Sequence, residues 1–83
     1  MAERALEGAS IVVAGASGGI GRQIAKQLAE RGARLTLAAR DRSALEALGI
    51  DATVVAADLR DAQAGTAIVS AALAANDRLD GLV

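Results

Sequence analysis

The sequence contains no cysteine, histidine or tyrosine among its 83 residues. The absence of cysteine excludes disulfide bonds and thiol chemistry, and without histidine as well we expect no metal site. These three residue types also include the side chains that most often transfer protons near neutral pH. We therefore predict that the chain holds no catalytic residue and that these residues alone are inactive.

Aromatic side chains and long apolar stretches are missing as well. No aromatic ring is available to stack on a nucleic-acid base. The charges are scattered along the chain, with a net charge of −1 and no basic stripe, so we expect no nucleic-acid partner. Apolar runs are short, as at residues 11–14, whereas a membrane-spanning helix needs about 20 apolar residues. The first ten residues show no secretory signal. We expect a cytoplasmic protein with no membrane partner.

The apolar residues that are present are mostly small. Alanine accounts for 22 of them, and leucine, isoleucine and valine together account for 21. A short chain with such side chains buries little apolar surface, so we expect it to belong to a larger unit. We interpret residues 1–83 as the N-terminal part of a single domain, truncated after its fourth strand.

Short apolar segments alternate with segments of helical periodicity. Strands are predicted at residues 10–14, 34–39, 51–57 and 79–83, and the last helix over residues 61–76. A second helix is predicted to begin at Asp41 or Ser43, with Ser43 and Glu46 as a capping box, and Gly32 is predicted to end the first. The order βαβαβαβ predicts an α/β fold with a doubly wound parallel sheet, of which only the N-terminal portion is present.

Four glycines lie within seven residues, at positions 15, 18, 19 and 21, directly after the first predicted strand. Small residues at a tight strand-to-helix turn allow backbone amides to approach a phosphate, and the helix N-terminus favours negative charge. The flanking strand and helix supply the context that a dinucleotide-binding turn requires. The alternative is a glycine-rich loop that only permits the turn.

Residues 14–21 resemble the TGxxxGxG signature of the short-chain dehydrogenase/reductase family, whose fold is the Rossmann fold. Gly15, Gly19 and Gly21 match its glycines, while Ala14 replaces the threonine. Gly15, Gly18 and Gly21 also fit GxxGxxG, the form found in the extended branch of the family. Residues 79–83 favour the compact branch, since they resemble the strand that precedes its Asn-Asn-Ala-Gly segment.

The residues after the second strand bear on the choice of cofactor. NAD-binding Rossmann domains usually carry an acid at the strand end, whereas NADP requires a cation for its 2′-phosphate. Ala39 occupies the acid's position and Arg40 follows it, with Arg42 close enough to assist. We therefore predict NADP(H). Two alternatives stay open: Asp41 as a ribose ligand for NAD(H), and Arg40 as a solvated arginine without a role.

The resemblance implies hydride transfer between NADP(H) and a small-molecule carbonyl or alcohol in an intact, homo-oligomeric enzyme. In this family a Ser and a Tyr-x-x-x-Lys pair later in the chain transfer the proton. The alternatives are a non-catalytic NADP-binding regulatory or redox-sensing module, and a structural fragment that acts only within a larger assembly. Carried over by motif, the predicted cofactor contacts are Gly15, Ser17, Gly19, Ile20, Gly21, Arg40, Asp58 and Leu59.

Two of these contacts have simpler interpretations. The resemblance places the carboxylate of Asp58 near the adenine ring, but Asp58 could also cap the turn before the third helix, or do both. Ser17 could donate to a phosphate, or it could be a small loop residue without a function.

Overall fold

A computed structural model describes residues 6–83, so residues 1–5 of the predicted domain lie outside the described part. Within that part, strands and helices alternate in the order β1 (Ser10–Ala14), α1 (Gly19–Glu30), β2 (Arg34–Ala39), α2 (Arg42–Glu46), β3 (Thr53–Ala56), α3 (Ala64–Asn76) and β4 (Gly81–Leu82). All strand pairs are parallel, and the sheet has the order β3-β2-β1-β4. The predicted doubly wound α/β fold is confirmed.

Helices cover both faces of the sheet, so the central strands are apolar on both sides. Helices α1 and α2 pack on one face, where Ile11, Val13 and Leu37 lie in the larger apolar cluster. Helix α3 packs on the other face, where Val12 meets Ile68 in a smaller cluster. None of the helices in residues 6–83 is long and apolar enough to cross a membrane.

The outer strands are shorter than predicted, although β1 and β2 have the predicted bounds. Strand β3 begins at Thr53, where it first pairs with β2, and β4 holds only two residues. Helix α3 begins at Ala64 because Asp61 forms a turn ahead of it. The Asp61 carboxylate accepts from the amide of Gln63 at 2.9 Å, and its carbonyl accepts from the amide of Ala64 at 3.0 Å.

One predicted helix end is correct and one is wrong. Gly32 has φ 88° just past α1, where its amide donates to the carbonyl of Ala29 at 3.0 Å and closes the helix as predicted. The capping box of Ser43 and Glu46 is wrong, since both residues lie inside α2. Asp41, the other predicted start, is correct, since its carboxylate caps that helix by accepting from the amide of Ala44 at 3.3 Å.

A polar contact fastens the start of β4 to the start of β1. The amide of buried Ser10 donates to the Asp80 carboxylate at 2.8 Å, and the amide of Asp80 donates to the Ser10 carbonyl at 2.8 Å. The guanidinium of Arg78 binds both carboxylate oxygens, at 2.8 and 2.7 Å. Hydrogen bonds from Arg78 and then from Ser10 hold the pKa of Asp80 below its usual value.

Candidate functional site

The glycine turn lies at the point where the sheet changes its winding direction. The chain passes from β1 through β2 to β3 on one side and then crosses to β4 on the other side of β1. Ligands of doubly wound sheets bind beyond the carboxyl ends of the strands at this point. The turn follows β1 directly, so its residues lie at the position where this fold binds ligands.

The local geometry explains two of the four glycines. Gly15 has φ 70°, a conformation that favours glycine, and its amide donates to the carbonyl of Ala38 at 2.8 Å. A Cβ atom on Gly21 would overlap the carbonyl oxygen of Gly15, so only glycine fits there. A Cβ on Gly18 would lie 3.4 Å from that oxygen, and one on Gly19 would meet no atom within 4 Å. The turn itself therefore gives no reason for glycine at position 19.

Helix α1 begins with three backbone amides that lack an acceptor. The first helical bond is donated by Arg22 to the carbonyl of Gly18, at 2.8 Å. Among residues 6–83, the amides of Gly19, Ile20 and Gly21 have no backbone or side-chain acceptor. No acidic residue lies in this first turn. Unpaired amides and the positive end of the helix dipole together favour an anion here.

An open cavity of about 360 Å³ lies beside this helix start. It contains five of the eight predicted contacts, and its lining consists of Gly15, Ser17, Ala39, Arg40, Asp58, Leu59 and Arg60. The other three, Gly19, Ile20 and Gly21, begin α1 and do not line it. The side chain of Ile20 is 79% exposed, so it contributes nothing to the core.

Arg60 lines this cavity although the sequence did not single it out. Its guanidinium donates to both oxygens of the Asp58 carboxylate, at 3.1 and 3.0 Å, and its amide donates to the same carboxylate at 2.9 Å. Chiefly these bonds, and to a lesser degree the charge of Arg40, hold the pKa of Asp58 below its usual value. The Asp-x-Arg spacing after a strand was the available signal. Asp58 thus forms a turn, as one interpretation predicted.

The arginines after β2 point to different neighbours. Arg40 lines the cavity, next to Ala39, which is only 6% exposed. The guanidinium of Arg42 donates to the carbonyl of Val54 at 3.3 Å, and Arg42 is not among the lining residues. In this structure the Arg42 side chain thus binds β3, and its assistance to Arg40 stays a prediction. Because Asp41 caps α2, its carboxylate is already engaged in the fold.

A second cavity, of about 240 Å³, lies between α3 and the strands β1 and β4. Its lining is apolar and is formed by Val12, Ala14, Leu59, Ala64, Gly65, Ile68, Val69, Leu79 and Leu82. No charged side chain lines it, so it offers a phosphate no partner. Within residues 6–83, no group of three His, Cys, Asp or Glu side chains could hold a metal ion.

The topology and the glycine turn at its switch point define a Rossmann-type α/β protein. A family model described as short chain dehydrogenase matches residues 9–83. The chain therefore belongs to the short-chain dehydrogenase family.

Several individual proteins are similar to this chain. An uncharacterised oxidoreductase of Mycobacterium tuberculosis is 40% identical over 91 residues, which cover 100% of this chain and 33% of that protein. A metagenomic short-chain oxidoreductase, solved in complex with NADP, is 42% identical with a TM-score of 0.83, covering 93% of this chain and 38% of that one. A 3-ketoacyl-(acyl-carrier-protein) reductase from Brucella melitensis, complexed with NADH, is 34% identical with a TM-score of 0.87, and the match covers 94% of this chain and 34% of that one. The chain thus spans about a third of their length.

Proposed function

We propose that the chain is the NADP(H)-binding portion of a short-chain oxidoreductase. The observation that carries this proposal is the set of three unpaired amides at the start of α1, beside a cavity that holds Arg40. A dinucleotide has two anionic groups to satisfy in this fold, a pyrophosphate and, in NADP, a 2′-phosphate. The helix start suits the first and the guanidinium suits the second.

The pyrophosphate is assigned to the amides of Gly19, Ile20 and Gly21, with the exposed Ser17 beside them. Gly19 fits this role because a side chain there would meet nothing in the protein itself. Its lack of a side chain instead leaves room for the backbone to approach a ligand closely.

The 2′-phosphate is assigned to Arg40. No acid stands at the end of β2, where a carboxylate would repel a phosphate, since that position is Ala39. The nearest acid in the sequence, Asp41, accepts an amide of its own helix. Charge-assisted bonds from a guanidinium to a phosphate are among the stronger hydrogen bonds in proteins.

The adenine ring is assigned to the cavity wall formed by Asp58 and Leu59. Three protein hydrogen bonds end on the Asp58 carboxylate, two on Oδ1 and one on Oδ2. A carboxylate offers about four acceptor positions, so Oδ2 retains one for an amino group. The side chain of Leu59 is 49% exposed and offers an apolar surface to a ring.

When bound, the nicotinamide ring supplies or accepts a hydride, and we propose a small-molecule carbonyl or alcohol as the substrate of the intact protein. The chain's own residues bind and orient the dinucleotide. Because the chain spans about a third of its relatives and contains no tyrosine, we assign the proton-transferring groups to sequence outside these residues.

A titration of two arginine variants tests the cofactor assignment. NADPH and NADH are titrated separately into the chain, and the emission of the reduced nicotinamide is followed, because the chain has no tryptophan of its own. Arg40→Gln should weaken NADPH binding about tenfold, the loss of one charge-assisted bond, and leave NADH binding unchanged. Arg34→Gln is the matched control, since Arg34 is exposed at the opposite end of β2. Equal effects of Arg40→Gln on both cofactors would contradict the assignment.

A further inference from the structure

Asp58 creates an electrostatic problem for the proposed site. Its carboxylate shares the cavity wall with Arg40, and the charge of Arg40 is one of the influences that lower the pKa of Asp58. Without a further cation, this carboxylate would cancel the positive potential of Arg40 that a 2′-phosphate needs. With Arg40 and Asp58 alone, the net charge of the wall would be zero.

Arg60 changes that balance. Its side chain is 79% exposed, yet its guanidinium engages both Asp58 oxygens at 3.1 and 3.0 Å. The amide of Arg60 donates to the same carboxylate at 2.9 Å, so the backbone fixes this geometry as well. With Arg60 included, the wall of the cavity carries a net charge of +1.

We infer that Arg60 is a specificity-determining positioning residue, which neutralises Asp58 so that the charge of Arg40 remains available to the 2′-phosphate of NADP(H). This inference rests on the proposed function. Arg60 acts through Asp58 and does not itself bind the phosphate. The carboxylate keeps its free acceptor position for the adenine, while its charge no longer repels the phosphate.

The test compares the ratio of NADPH to NADH affinity across four chains. Arg60→Gln leaves Asp58 unneutralised, so the ratio should fall about three- to tenfold, as expected for one unit charge acting on a phosphate near a protein surface. Asp58→Asn removes the negative charge that Arg60 neutralises. The double variant Asp58→Asn/Arg60→Gln should therefore recover the wild-type ratio even if both affinities decrease. The decrease of the ratio in Arg60→Gln should also be smaller at about 0.5 M salt, because the electrostatic screening length is then only a few ångströms.

Arg78→Gln provides the matched control. Arg78 and Asp80 form the same bidentate pair two residues apart, at 2.8 and 2.7 Å, at the opposite end of the sheet. Arg78→Gln changes the total charge equally and should leave the ratio unchanged. Far-UV circular dichroism checks that every variant folds.

Each outcome of this comparison either supports the inference on Arg60 or contradicts it. An unchanged ratio in Arg60→Gln would overturn the inference alone, provided that the wild-type chain prefers NADPH. A lowered ratio that the double variant does not restore would also overturn it, because Arg60 would then contact the phosphate directly. A folded wild-type chain that binds neither cofactor, or prefers NADH, would overturn the proposed function and the inference together.

Discussion

Replacing Gly21 with alanine should destabilise the chain through a backbone collision in the glycine turn. The added methyl group would overlap the carbonyl oxygen of Gly15 and lie 3.1 Å from its carbonyl carbon and 3.2 Å from the Cα of Ala16. All three atoms belong to the backbone, so none can move away by rotating a side chain. Overpacking costs about 1–3 kcal/mol, and the better helix propensity of alanine returns at most about 1 kcal/mol.

We expect a net loss of about 1–2 kcal/mol in the free energy of unfolding, which corresponds to a fall in Tm of roughly 5–15 °C for a domain of this size. Far-UV circular dichroism follows the thermal and urea-induced unfolding, since the chain has no aromatic side chain to report it. Gly19→Ala is the matched control in the same helix, where the methyl group meets no atom within 4 Å. It should be neutral or stabilising by up to about 1 kcal/mol. Equal stability of the two variants would refute the steric argument.

Three further predictions concern binding, packing and pH. Gly19→Ala should keep its stability but bind NADPH at least about tenfold more weakly in a fluorescence titration, because its methyl group would stand where the pyrophosphate approaches. Thr36→Val should raise the urea midpoint, which corresponds to about 1 kcal/mol of unfolding free energy, since the buried Thr36 hydroxyl has no hydrogen-bond partner among residues 6–83; a lower midpoint would show that the hydroxyl is satisfied. Because the pKa of Asp80 is lowered in the folded chain, its stabilising effect is present above the usual value of 3.8 and is lost as the pH falls through the lowered pKa. Asp80→Asn should therefore be less stable than wild type at pH 7, with a difference that shrinks below pH 3.8 in urea titrations; a constant difference would contradict this.

The sequence predicted the centre of the fold better than its edges. Strands β1 and β2 have the predicted bounds because side chains on both of their faces are buried, so apolar residues predominate along each segment. The ends of β3 and β4 depend on where pairing with a neighbour begins, and a single sequence does not contain that information. The start of α3 depends on a turn formed by Asp61, whose polar side chain fits a helix start or a turn equally well.

The same distinction applies to the candidate site. The glycine pattern located the turn, and the structure gives a steric reason for Gly15 and Gly21. The structure does not distinguish the GxxxGxG pattern from GxxGxxG, because both Gly18 and Gly19 have room for a methyl group. The nearest atom would lie 3.4 Å from a Cβ on Gly18, and no atom would lie within 4 Å of one on Gly19. The Asp-x-Arg spacing alone does not place Arg60 in the site, since its contact depends on the local turn geometry and on a cavity shared with residues from distant segments.

Chemical-shift mapping of the uniformly ¹⁵N-labelled chain during separate titrations with NADPH and NADH tests the central claim most directly. We predict that the amides of Gly19, Ile20 and Gly21 shift most with both cofactors, because they receive the pyrophosphate that the two share. The backbone amide of Arg40 should shift strongly only with NADPH, and NADPH should bind more tightly. A folded chain whose largest shifts fall on the apolar cavity between α3 and β4, or whose helix-start amides do not respond, would contradict it.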